Sequence, residues 1–587
     1  MQAGYMGEMS MRIKNIVFLV LSWLLWAQCF SLQKDQKSEK DRRRIVYNDD
    51  GMKLFEAGRQ NNIDVETFLR QRLATEIAAV PITTYSLCVA LPDVCKHDSK
   101  VGEVYAERFG DNPDQATTPE AARAQLRAIR ALRAKGTDVL KLLIRELKPK
   151  GIEVLAGVRM NDTHHQANTF REVRAGMFAI DHPEYVVRQP DGRTNETALD
   201  YSYPEVRTHR LAIMRELAED YDTDGLELDF CRWPKYFPRD QGAEKAPIMT
   251  DYVGQIREML NRAAQKRGRK HLTLGVRVPE TIRTCWLAGL DVETWVQKGW
   301  IDYLVVSPWN EIDPQVKVDD FAKFTRGHCQ LLAHFNDMLG GMWTGLPKIT
   351  GRGVAQNGES YAGMALTAAE ARACASNYYS WGADGVFFWN VASDIGDRMD
   401  AEQRKRNWEW MNAIISPERA SSGTRRYHYL PLYKWSELRR PPTVERPASS
   451  TVTRSYAWYG PGQSPLGTMK TQIIKFPPES VGQRQVYRFR MADGRNGEKL
   501  NGTLRFPIFY VESGDKVEID INGRPVDSTK VKRIPCPGEM GLPGTWFEMT
   551  LADCPAFRGD NELGVILHNQ RERQAIPYLE ELDIIVQ

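Results

Sequence analysis

The chain has almost no excess of positive charge: 79 Lys plus Arg stand against 76 Asp plus Glu. A nucleic-acid partner is therefore not expected, because binding a polyanion draws on surplus basic side chains that release its counterions. Cysteine is scarce, nine in 587 residues, which excludes a disulfide-stapled scaffold. Cys88 with Cys95 and Cys536 with Cys554 are the pairs close enough in sequence to bridge, and neither spacing is a zinc pattern. Cys231, Cys285, Cys329 and Cys374 read as buried free thiols. Internal repeats are missing, and beyond the N-terminus no apolar run is long enough to cross a bilayer. A Gly-rich phosphate turn is missing too: the first strand candidate runs into Asn48, Asp49, Asp50 and Gly51, which suits no dinucleotide fold.

The N-terminus is read as an export signal. Arg12 and Lys14 precede an apolar run over residues 16–26, followed by Ala27, Gln28, Cys29, Phe30 and Ser31. A charged segment, a short apolar segment and a small or polar exit form a secretory signal. The protein is thus expected to be secreted, periplasmic or cell-surface, touching a membrane only through a lipid on Cys29. Residues 1–31 are assigned to the signal and 32–43 to a charged linker, read from the sequence QKDQKSEKDRRR.

With 42% hydrophobic residues, the remainder can build a large core. Short apolar runs alternate with helical stretches, and the strand candidates are 45–47, 85–90, 152–158, 225–230, 272–278, 301–306, 348–353 and 385–389. Helical patterns fall between them, including 119–147, 205–221 and 252–266. Alternating strands and helices predict a parallel sheet. Eight units fit a closed (β/α)8 TIM barrel over residues 44–420. A connecting stretch follows over 421–450. From 451 to 587 short alternating strands, with the turn signal Asn522-Gly523, predict an all-β sandwich.

Side chains at the C-terminal ends of barrel strands converge on one mouth. In the fourth strand Glu227 and Asp229 sit two residues apart, so they share a face, while Leu226, Leu228 and Phe230 turn to the helices. Arg232 lies just past them, placed to pair with one. The fifth strand supplies Arg277 and, just beyond its end, Glu280. Hydrolysis of a glycosidic bond needs such a pair of carboxyls, one protonating the leaving oxygen and one attacking carbon or activating water. Asp229 is accordingly expected to be nucleophile or base and Glu280 the general acid, with Glu227 and Glu311 in reserve. The first strand end gives Asn48, Asp49 and Asp50. The third gives Arg159, Asn161, Asp162, His164 and His165. The sixth gives Trp309 and Asn310, and the eighth gives Trp389, Asn390 and Asp394. Of these, Asn48, Asp49, Arg159, Asn161, His164, Asn310, Asn390 and Asp394 are expected to bind substrate with Arg232 and Arg277. Trp309 and Trp389 are expected to stack on sugar rings. No metal or other cofactor is expected.

The stretch from Tyr221 to Pro234, YDTDGLELDFCRWP, resembles the motif YDVDGIHLDYIRYP of the glycosyl hydrolase-like 10 family. Looser likenesses lie in DYSYPEVR at 200–207, in LDVETW at 290–295 and in WIDYL at 300–304. The resemblance spans about 44–415 and implies a barrel acting on polysaccharide, with Asp229 and Arg232 at matching positions. The fourth strand is also similar to that of the family 18 chitinases, whose motif ends in a catalytic Glu. Counted from Asp224, that Glu would fall on Cys231, which argues against a substrate-assisted mechanism. The expected function is an exported glycoside hydrolase. The alternatives are a non-catalytic glycan-binding barrel on the cell surface and a metal-dependent hydrolase using His164 and His165.

Overall fold

The computed structural model describes residues 43–163, 167–188, 197–308, 312–339, 364–391, 401–429, 474–494, 498–536, 543–554, 556, 558–569, 575–579 and 581–587. The signal, His164, His165, Trp309, Asn310, Glu311 and Asp394 lie outside this set, as does the strand candidate 348–353.

Eight parallel strands form the barrel: β1 (Ile45–Asp49), β2 (Thr84–Ala90), β3 (Glu153–Arg159), β4 (Gly225–Asp229), β5 (Thr273–Pro279), β6 (Tyr303–Ser307), β7 (Gln330–Phe335) and β8 (Gly385–Trp389). Each pairs with the next, and β1 pairs with both β8 and β2, so the sheet closes. The seventh strand is Gln330–Phe335, not the expected 348–353. Its apolar core of Leu331, Leu332 and Ala333 is short, and polar His334 interrupts it before Phe335, which blurs its pattern.

Residues alternate between two environments along every strand. Val46, Leu155, Tyr303, Val305, Leu332, Phe387 and Trp389 fill the barrel interior. The outward set, including Leu226, Leu228 and Phe230 as expected, packs into the layer between strands and helices. The helical stretch 119–147 is two helices, α1 (Pro119–Ala134) and α2 (Val139–Leu147). Gly136 breaks it in a left-handed conformation with φ 70°, and Asp138 then caps α2 by accepting the Lys141 N–H at 2.9 Å. Among the described residues, no helix is long and apolar enough to cross a membrane.

The C-terminal part is an all-β domain of antiparallel sheets. One holds β9 (Arg425–Tyr429), β11 (Gly502–Phe509), β13 (Lys532–Cys536), β14 (Gly544–Thr550) and β16 (Leu582–Val586). The other holds β10 (Arg484–Met491), β12 (Val517–Ile521) and β15 (Gly559–Leu567). Inward residues of both sheets, among them Phe506, Phe547, Phe489, Ile519 and Val565, share one apolar cluster. Asn522 and Gly523 turn the chain after β12 with φ of 55° and 75°, as their hairpin signal predicts. β9 falls inside the stretch expected to connect the domains and pairs with the last strand, β16. Cys88, Cys95, Cys231, Cys285, Cys329, Cys374 and Cys554 are free thiols.

Candidate active site at the barrel mouth

The fourth strand delivers both of its acids to the barrel interior, at different depths. Register pairs Glu227 with Gly157 and Gly275, and Asp229 with Arg159 and Arg277. Of these two glycines beside Glu227, Gly275 leaves room that Tyr303 occupies: a Cβ there would lie 1.9 Å from the Tyr303 ring. Tyr303 donates its hydroxyl to Glu227 Oε2 at 2.6 Å, and Asn48 Nδ2 donates to Oε1 at 2.6 Å. Glu227 is fully buried. Burial pushes its carboxyl up to about 7, and the neighbouring Asp229 charge adds to the rise. The Tyr303 and Asn48 bonds oppose it.

One layer above, Asp229 ends the strand and stands at the mouth, 8% exposed. Its Oδ1 accepts the backbone N–H groups of Cys231 at 2.9 Å and Arg232 at 3.2 Å, fixing the turn that follows. Arg277 faces its Oδ2 at 3.3 Å and donates from Nε to Ser307 Oγ at 3.0 Å. The guanidinium carbons of Arg277 and Arg232 lie 4.8 and 5.0 Å from the Trp389 ring centre. The π-surface of Trp389 is therefore engaged by cations, where the sequence suggested a platform for sugar.

A second chain of polar contacts borders this group. Arg159 binds Asp50 at 2.8 Å and Asp162 at 2.5 Å. Asn390, in a left-handed conformation with φ 51°, donates Nδ2 to Asp50 Oδ2 at 2.9 Å and accepts the Asp50 N–H at 2.8 Å. Burial works to raise the Asp50 carboxyl, but Arg159, Arg232 and Lys96 together hold it well below the usual range.

The structure thus brings Asn48, Arg159, Glu227, Asp229, Arg232, Arg277, Trp389 and Asn390 to one end of the barrel. Glu280 follows β5 and is fully buried, close enough to Cys231 and Cys285 for its charge to act on both thiols. Burial pushes the Cys231 thiol up to about 11, and its Sγ donates to the Ser307 carbonyl at 3.3 Å. Two expected ligands of substrate sit elsewhere. Asp49 faces the helices: Lys53 binds it at 3.0 Å, Tyr85 donates at 2.9 Å, and it accepts the Gly51 N–H at 2.8 Å. Alternation explains the difference, since Asn48 points inward and its neighbour must point outward. Asn161 is fully buried, with its amide engaged by Leu199 and Lys235 backbone groups, so it ties loops together.

Sequence reasoning did not single out Tyr303, Ser307 and His334. Every second residue of β6 back from its end is Ser307, Val305 and Tyr303, so strand alternation held the signal for the two polar ones. His334 was hidden with its strand.

The glycosyl hydrolase-like 10 family model matches residues 118–250, the segment that carries Arg159, Glu227, Asp229 and Arg232. No curated protein sequence matches the chain. Among solved structures, the chain is similar to alpha-L-fucosidase isoenzyme 2 from Paenibacillus thiaminolyticus at 12% identity and TM-score 0.38. That match covers 66% of this chain and 51% of the fucosidase, about half its length. It is also similar to the PgaB (BpsB) glycoside hydrolase domain from Bordetella bronchiseptica at 10% identity and TM-score 0.37, covering 64% of this chain and 99% of that domain. A third likeness is to chitinase ChiW from a Paenibacillus species, at 11% identity and TM-score 0.35, over 92% and 56% of the two chains.

Proposed function

We propose that this chain is an exported glycoside hydrolase that cleaves a polysaccharide or oligosaccharide at the barrel mouth, with Asp229 as nucleophile or base. The observation that carries the reading is the placement of Asp229. It lies at the C-terminal end of a barrel strand, where barrel enzymes hold their chemistry, with Arg277 and two backbone N–H groups fixing its carboxylate. The family match over 118–250 supports the substrate class. In this reading the Asp229 carboxylate attacks the anomeric carbon or takes a proton from water, and an acid protonates the leaving oxygen. Glu280 is assigned the acid. Glu227, which holds its proton near neutral pH directly beneath Asp229, limits how much negative charge collects there. Arg232 and Arg277 orient the mouth. Export rests on the apolar run at 16–26 and its charged flank, and Cys29 is the one position for a lipid.

A second reading, a glycan-binding barrel without turnover, is favoured by one observation: Glu280 is 0% exposed. The test is a screen of the secreted protein against purified polysaccharides with sizing of the products, repeated with Asp229→Asn. The amide keeps an acceptor for the Cys231 and Arg232 N–H groups, so the turn is expected to persist while turnover is lost. Turnover retained in Asp229→Asn would remove Asp229 from the chemistry. Wild-type binding without any product would favour the second reading.

A further inference from the structure

The seventh strand places one side chain in the barrel interior that the reactions above do not use. His334 is 1% exposed, with its ring centre 6.2 Å from that of Phe387 and 6.0 Å from that of Trp389. Neither of its ring nitrogens has a hydrogen-bond partner among the described residues, and Trp389 Nε1 has none either. Other buried histidines are paired: His97 with Glu216 at 3.1 Å and His428 with Glu581 at 2.7 Å. The two most buried tryptophans are paired as well, Trp410 Nε1 donating to Asn407 at 3.0 Å and Trp295 Nε1 to Thr250 at 3.3 Å, whereas the half-buried Trp408 is not. A buried polar group without a partner is costly, and here two stand on adjoining rings.

The chemistry of the missing partner follows from what the two rings offer. Burial and the nearby Arg277 cation hold the imidazole well below its usual range, so it is neutral, with one donor and one acceptor. The indole offers a donor only. Arg277 is occupied by Asp229 and Ser307, and the indole π-surface by two guanidiniums. The open positions are therefore neutral ones, and a group that can both accept and donate there is a hydroxyl.

We propose that His334 and the indole N–H of Trp389 together bind one hydroxyl of a neutral sugar at the floor of the barrel mouth. The hydroxyl accepts from Trp389 Nε1 and exchanges a hydrogen bond with His334. This rests on the reading of the mouth as a glycan site and adds the residues that select the sugar within it.

The experiment measures binding by calorimetry, using the full chain with Asp229→Asn to prevent cleavage. The probes are cellohexaose, xylohexaose, maltohexaose and chitohexaose. In that background His334→Leu and Trp389→Phe are each expected to weaken binding of the preferred hexaose about tenfold, the size of one lost neutral hydrogen bond. The double variant should lose little more than either single one, because both act on the same hydroxyl. His334→Asn, which keeps a donor and an acceptor, should recover most of the loss. His334→Leu should also melt no lower than its parent, since it removes unpaired buried nitrogens. Should His334→Leu fail to fold, Trp389→Phe keeps the ring and carries the test. Binding within twofold of the parent in both single variants would overturn the proposal and assign the space to an ordered water. Failure of the parent to bind any of the four hexaoses would overturn the mouth as a neutral-glycan site, and this assignment with it.

Discussion

Glu227 and Asp229 differ by two positions in sequence and by one layer in the barrel, and that difference separates their chemistry. Asp229 meets backbone N–H groups and Arg277, whereas Glu227 meets neutral side chains, the Tyr303 phenol and the Asn48 amide among them, in a closed interior. Its proton is held to about 7, against a usual 4.5. Between those values the unfolded chain releases the proton while the native chain keeps it, so stability falls as pH rises from about 4.5 to 7. Below that window both states are protonated, and above it both are ionised and the loss is complete. The size is about 3 kcal/mol. Glu227→Gln is expected to remove this slope, because its amide stays neutral and Tyr303 can turn its hydroxyl to accept. Urea unfolding at pH 5 and pH 8 checks it: the variant should gain on the wild type as pH rises, and equal slopes for the two proteins would refute the assignment.

At the scale of elements, the alternation of strand and helix carried most of the fold, because burying both faces of a parallel sheet imposes a pattern that composition preserves. β4 shows this best: GLELD puts acids on one face and leucines on the other, and the structure places them inside and outside the barrel accordingly. β7 shows the limit. A six-residue strand with a glutamine at its start and a histidine near its end gives period-based reading too little to work with, and with it went His334. Depth along a strand was also hidden, because it depends on register with neighbours distant in sequence. Hence Glu227 and Asp229 read as sharing one face without a difference in depth, and Tyr303, which donates to Glu227, was not read as a site residue. The fit of β5 against β6 tests this register. Gly275→Ala would drive a methyl into the Tyr303 ring and push its hydroxyl from Glu227. Overpacking of this kind is expected to lower stability by about 2 kcal/mol, measured by denaturant unfolding. Adding Tyr303→Phe, which removes the displaced hydroxyl but not the ring, should not restore it; full recovery in the double variant would mean that the hydroxyl, not the ring, fills the space.

For the whole molecule the question is whether barrel and all-β domain act as one body. The described residues from 44 onward belong to a single compact unit, and the contacts that join its two parts are specific. The barrel helix Ala368–Ser380 contributes Ala373 to the apolar cluster of the C-terminal sheets. Its Asn377 donates to the carbonyls of Pro314 at 2.8 Å and Arg490 at 2.9 Å, while Arg426 links Glu370 at 3.0 Å to Asp583 at 2.8 Å. Arg490 of β10 binds both carboxylate oxygens of Asp319, at 2.8 and 2.9 Å, and lies 4.0 Å from the Trp381 ring centre. A tethered module would need none of this; a buttress needs all of it. Chains of this size usually unfold in steps, domain by domain. Here the shared helix predicts one calorimetric transition. Asp319 is about a third exposed, so water takes up part of its charge when this bidentate partner is removed, and Arg490→Ala should cost about 2 kcal/mol. For a chain of this length that lowers the single transition by about 2 °C without dividing it. Two resolved transitions, with Arg490→Ala moving only one of them, would show instead that the sheets are an independent attachment and that the barrel stands without them.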